Sequence, residues 1–268
     1  MIIIILTLAA LVTATISGII GMGGGILLLA VMFGFMAHAE AIPLHGAAQL
    51  VSNGSRVVAY WSAVDWKTVG QFFMGTLPGV AVAGLILWML GVSGEPGAAD
   101  TSVGSAEPYL KIVIGLYILV VVVLPKPKKT VRPGHGYDFT LLGFVAGAAS
   151  LTVGATGPLI APLFAHRNFV KEHLIATKAI CQVSTHALKI IAFAALGTIE
   201  FMEFSSLLIP MSIAAVIGTF LGKRILRHVS REAFVKLYRV ALTVAGTKVL
   251  IVDGLLKAVG WTFFEISP

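Results

Sequence analysis

Charge is scarce in this chain. Only 12% of its residues are charged and 57% are hydrophobic, with a mean hydropathy of +0.96. Soluble domains carry about 25% charged residues, so a water-soluble fold is excluded. Cysteine is scarcer still. Cys181 stands alone in an apolar stretch, which excludes a disulfide framework. Catalytic patterns are missing too: there is no His-Glu-x-x-His, no Gly-x-Ser-x-Gly and no Walker lysine motif. His38, Glu40 and His45 lie close together in sequence but lack a metal-ligand spacing, so neither a metal site nor a cofactor is expected. No Lys or Arg precedes the apolar run from Met1 to Gly21, which therefore reads as a first membrane helix and not as a cleaved signal peptide.

Apolar length is what the chain has. Several stretches approach the roughly 20 residues that cross a bilayer. The reading is an all-α integral membrane protein with lipid as its surroundings. The formal net charge of +7 is concentrated in short connections. It marks loops on the cytoplasmic side, not a nucleic-acid surface.

Two glycine-rich breaks interrupt the apolar runs. The first reads Ser17-Gly-Ile-Ile-Gly21-Met-Gly23-Gly24-Gly25, and the second Ser150-Leu-Thr-Val-Gly154-Ala-Thr-Gly157-Pro158. Gly154 stands 133 positions after Gly21, and Gly157 the same distance after Gly24. At that offset Gln49 falls on Gln182, Ser52 on Thr185, Asn53 on His186, Arg56 on Lys189 and His45 on Lys178. The chain is thus two copies of one plan: repeat 1 over 1–125, a basic linker over 126–136, repeat 2 over 137–255 and a short tail over 256–268. Each repeat has a broken first element (2–36 or 137–166) and three spanning helices. These are expected near 42–61, 67–91 and 108–124, then near 172–197, 204–222 and 232–252.

Basic residues set the orientation. Lys126, Lys128, Lys129 and Arg132 mark the linker as cytoplasmic, and Lys223, Arg224, Arg227 and Arg231 mark a second cytoplasmic loop. Both fall inside only if each broken element is a hairpin that returns to its own side. Lys67, Arg167 and Lys171 then also lie inside, and the outer loops 37–41, 92–108 and 198–203 carry no Lys or Arg. The fold expected is two inverted-topology repeats, each a re-entrant-like, glycine-rich helix hairpin plus three transmembrane helices. The arms of the first hairpin are unequal, since Met1–Gly21 nearly spans and Ile26–Met36 does not.

The breaks suit an anion. Proline favours the first turn of a helix, so Gly157-Pro158-Leu159 begins a returning arm, and Gly25 begins its counterpart. A helix start offers free N–H groups and partial positive charge, and glycine lets the backbone approach a ligand closely. Candidate binding residues are Gly21, Gly23, Gly24 and Gly25 with Gly154, Gly157, Pro158 and Leu159. Two polar stripes join them: Gln49, Ser52, Asn53 and Arg56 after His45, and Gln182, Thr185, His186 and Lys189 after Lys178. Steps of three and four put each stripe on one helix face. Neither stripe holds a carboxylate, which speaks against a cation as passenger.

These motifs resemble the TauE/SafE family of bacterial membrane permeases. The resemblance rests on Gly18-Ile-Ile-Gly21-Met-Gly-Gly-Gly25, its echo Gly154-Ala-Thr-Gly157-Pro158-Leu-Ile-Ala-Pro162, and the polar helix after each. Repeat 1 departs from it with Leu29 where repeat 2 has Pro162, and repeat 2 with Ala155 and Thr156 in its glycine run. The resemblance implies a multi-pass protein of the bacterial inner membrane that transports a small sulfur-containing anion such as sulfite, sulfoacetate or a related sulfonate. Alternating access, a proton or sodium ion as coupling partner (His186 being the proton candidate) and a homo-oligomer all fit that expectation. An anion channel with the same hairpins is the alternative. A membrane-embedded enzyme is the weaker one, since no nucleophile and base are paired.

Overall fold

A computed structural model describes residues 1–21, 23–89, 107–123, 137–166 and 171–225. Towards the C-terminus it describes 228, 230, 232–233, 236, 240, 243–244 and 246–259. These residues are helical, without strands. In chain order the helices are α1 (Ile2–Ile20), α2 (Gly24–Met32), α3 (His38–Ala59), α4 (Trp66–Met89) and α5 (Glu107–Val123). They continue with α6 (Asp138–Thr152), α7 (Gly157–His166), α8 (Lys171–Ala195) and α9 (Ser205–Ile225), and a π-helical segment spans Lys248–Leu256. The linker 126–136, the loop 90–106, the tail beyond 259, Arg167, Arg227, Arg231 and much of the expected helix 232–252 lie outside the described residues.

The burial pattern is that of a protein whose solvent is lipid. Leu8 and Val12 on α1, Leu77, Leu85 and Trp88 on α4, and Ile209, Ile213 and Ile217 on α9 all point outward. His45, Gln49, Arg56, Lys178, Gln182, His186 and Lys189 point inward. Helices α1, α4 and α9 are long and apolar enough to cross a membrane. Helices α3 and α8, at 22 and 25 residues, have the length but give their interior turns to polar side chains. They can do so because they pack on each other and on the other helices.

Both breaks sit where the sequence puts them. Helix α1 stops because Gly21 turns left-handed, with φ of 75°, and its N–H donates to the Ser17 carbonyl at 2.7 Å. Gly23 is left-handed as well, and α2 starts at Gly24. The Ser17 hydroxyl accepts the Gly24 N–H at 3.0 Å, doing the work of an N-cap from the preceding helix. Gly24 lies directly on the Thr13 carbonyl, so α2 folds back along α1. In the second break Gly154 has φ of 80° and α7 begins at Gly157. The arms are unequal, with 19 and 9 residues in the first hairpin and 15 and 10 in the second.

The two halves exchange their first arms. Helix α1 runs parallel to α9: Gly218 lies against Leu11 and Thr15, and Gly222 against Thr15 and Gly18. Helix α6 runs parallel to α4, with Gly75 against Thr140 and Gly79 against Phe144. In both pairs a Gly-x-x-x-Gly step leaves no room for a Cβ, so backbones touch and packing is close without any polar bond. At the centre α3 and α8 run antiparallel. The His45 and His186 rings meet at 5.8 Å, and the Asp65 N–H beyond α3 donates to Thr177 near the start of α8 at 2.9 Å. Asp65 also caps α4, its carboxylate accepting the N–H of Lys67 at 3.1 Å and the Thr68 hydroxyl at 2.8 Å.

Observed helix ends lie close to the expected ones except at α3. The sequence reading started it near residue 42. The helix instead begins at His38 and carries Pro43 inside it.

Candidate functional site

The two returning arms begin beside one small cavity. Ser17, Gly23, Gly25 and Ile26 line it from the first hairpin, and Ala155, Thr156 and Gly157 from the second. Helix α3 contributes His45, Gln49 and Arg56, and α8 contributes Gln182 and His186. No carboxylate is among these residues. The starts of α2 and α7 supply N–H groups and the positive ends of two helix dipoles. A Cβ at Gly25 would come within 3.1 Å of the Gln49 amide, and one at Gly157 within 3.0 Å of the Gln182 amide. Each polar helix thus sets a glutamine against a glycine of the hairpin before it.

Three cations are enclosed here. Arg56 is 2% exposed, and Lys178 and Lys189 are 0% exposed. They do not snorkel to an interface. Arg56 Nη2 donates to Asn53 Oδ1 at 2.6 Å and its Nε to the Ser52 carbonyl at 3.3 Å. Lys178 Nζ donates to the Gly21 carbonyl at 3.2 Å, and Lys189 Nζ to the Gly154 carbonyl at 3.1 Å. One ammonium therefore holds the left-handed glycine of each break. Lys248 pairs with Asp253 on the π-helical segment, whereas the hydrogen bonds of the three buried cations go to neutral groups. A buried charge without a counter-charge is costly. Arg56, which lines the cavity, has no anionic partner among the described residues.

Several buried polar atoms also lack hydrogen-bond partners: His45 Nδ1, His186 Nδ1, Thr156 Oγ1 and Ser52 Oγ. Native interiors leave few such atoms. Three of the four belong to cavity-lining residues.

Of the residues expected from the sequence, Gly23, Gly25, Gln49, Arg56, Gly157, Gln182 and His186 come together around the cavity. Gly21, Gly24 and Gly154 shape the turns behind it. Asn53 positions Arg56, and the Thr185 hydroxyl donates to the Cys181 carbonyl at 3.0 Å. Lys189 is bound to Gly154. Leu159 packs beside Phe72, Phe139 and Phe164, and Pro158 occupies the first turn of α7. Sequence reasoning left Ser17, Thr156 and His45 out of the site. Ser17 and Thr156 stand within the quoted break motifs, and His45 heads the first stripe, so the signal was present. What was missing was the fold-back that points them at one space.

A family model described as sulfite exporter TauE/SafE matches residues 6–249. No curated protein and no solved structure gives a significant match.

Proposed function

Because the chain belongs to the TauE/SafE sulfite exporter family, a family of membrane transporters, we propose that it carries a small sulfur-containing anion, sulfite or an organosulfonate. The observation that carries this is Arg56, buried in the cavity wall with no carboxylate partner among the described residues. An anion seated there gains the guanidinium, the N–H groups at the starts of α2 and α7, and the amides of Gln49 and Gln182.

Alternating access is the mechanism that fits. The lining side chains His45, Gln49, Arg56, Gln182 and His186 are at most 8% exposed, which suits an occluded carrier better than an open pore. The exchanged arms, α1 on α9 and α6 on α4, support two inverted repeats over 1–125 and 137–255 that rock against each other about the site. The bacterial inner membrane is the setting.

The test is thermal unfolding of the purified protein with sulfite, sulfoacetate, taurine, sulfate and carboxylates. A ligand that binds only the folded state raises its stability. A sulfur anion raises the midpoint of wild type and leaves Arg56→Gln unmoved. Absence of any anion-dependent shift in wild type sinks the proposal.

A further inference from the structure

His45 is buried, lines the cavity and is tied at one nitrogen only. Its Nε2 lies 2.8 Å from the Gly25 carbonyl. A carbonyl can only accept, so Nε2 carries the hydrogen. The Nδ1 of the neutral ring is then a lone pair, enclosed and unpartnered. Its own helix carries His38, Glu40 and Arg56, α8 brings His186 to 5.8 Å from the ring and Lys189 beside Gly46, and α1 and α2 contain no titratable group. With no carboxylate in the wall, a further positive charge on the ring has nothing to offset it. The ring therefore offers an unused acceptor nitrogen in a wall that also holds the Arg56 guanidinium and the N–H groups at two helix starts.

Resting on the anion-carrier reading above, we propose that His45 Nδ1 accepts a hydrogen bond from the passenger. The site then selects a small monoanion that keeps one acidic hydrogen, with hydrogen sulfite as the sulfur example. It disfavours the full dianion and aprotic anions of the same shape, which leave Nδ1 unsatisfied.

Two probes separate these cases. Sulfite exchanges between monoanion and dianion near neutral pH; methanesulfonate is a permanent monoanion with the same three-oxygen head and no hydrogen to donate. The affinity of wild type and His45→Gln for both is measured across that pH range. A glutamine amide reaches the Nε2 position and keeps the bond to Gly25 while removing Nδ1. In wild type the ratio of sulfite to methanesulfonate affinity is expected to fall as pH rises. Titration of groups that meet both probes alike cancels in the ratio, whereas protonation of His45 would lower the ratio at low pH, opposite in sign to the expected trend. In His45→Gln the low-pH ratio drops about tenfold. A ratio independent of pH, or a ratio unchanged by His45→Gln, overturns the selectivity while leaving an anion site standing. Binding of neither probe to wild type overturns the carrier reading and this inference together.

Discussion

Gly24 and Gly25 are neighbours with different tasks. A methyl group at Gly24 runs into the Thr13 carbonyl and the Ser17 hydroxyl, neither of which can yield without unpicking the first hairpin. Gly24→Ala should cost more than about 2 kcal/mol of stability, read as a lower unfolding midpoint. A methyl group at Gly25 meets the movable end of Gln49. Gly25→Ala should fold normally but crowd the cavity, weakening anion binding about tenfold in the same thermal assay. The paired glycines were legible because Gly21 and Gly154 recur at one offset inside apolar runs. The lysine stripe was legible too, but not its use: that Lys178 reaches Gly21 and Lys189 reaches Gly154 depends on where each hairpin folds back. Thr156 and Ser17 escaped notice because hydroxyls in membrane helices commonly bond their own backbone, as Thr13 and Thr15 do here.

At the level of elements, the hairpins are held by glycine-mediated contacts with helices distant in sequence. Gly79 on α4 receives α6, and Gly222 on α9 receives α1. Gly79→Leu and Gly222→Leu should each force a backbone pair apart and destabilise the protein by about 3 kcal/mol. Gly70→Leu on the same α4, where nothing lies within 4 Å of a Cβ, should leave the midpoint near wild type. Size-exclusion profiles and unfolding curves in detergent read all three. The existence of these helices followed from apolar length, and the starts of α2 and α7 from glycine and proline chemistry. The pairing α1 with α9 and α6 with α4 did not follow. A Gly-x-x-x-Gly step announces that something packs closely, not which helix arrives, and the steps at Gly75–Gly79 and Gly218–Gly222 lie outside the breaks that drew the eye.

For the whole molecule, the proposed inverted repeats require a definite sidedness. Ser62, before α4, and Tyr137, before α6, are exposed and should face the cytoplasm; Met202, before α9, is exposed and should face outward. In a Cys181→Ala background, cysteines at Ser62 and Tyr137 should react with an impermeant thiol reagent only in inside-out vesicles, and one at Met202 only in right-side-out vesicles. Reaction of all three from one side removes the inverted arrangement. The expected sidedness rests on the positive-inside pattern of the loops alone. The enclosed cations were harder to read, because an arginine in an apolar helix can equally snorkel. Only packing shows that Arg56 is sealed inside.

The most direct measurement is counterflow of labelled sulfite in proteoliposomes, wild type against Arg56→Gln. Uptake by wild type should saturate and accelerate when unlabelled sulfite is preloaded on the opposite side, and Arg56→Gln should fall close to the protein-free background. Non-saturating flux without acceleration, or an Arg56→Gln variant as active as wild type, contradicts a carrier built around this buried guanidinium.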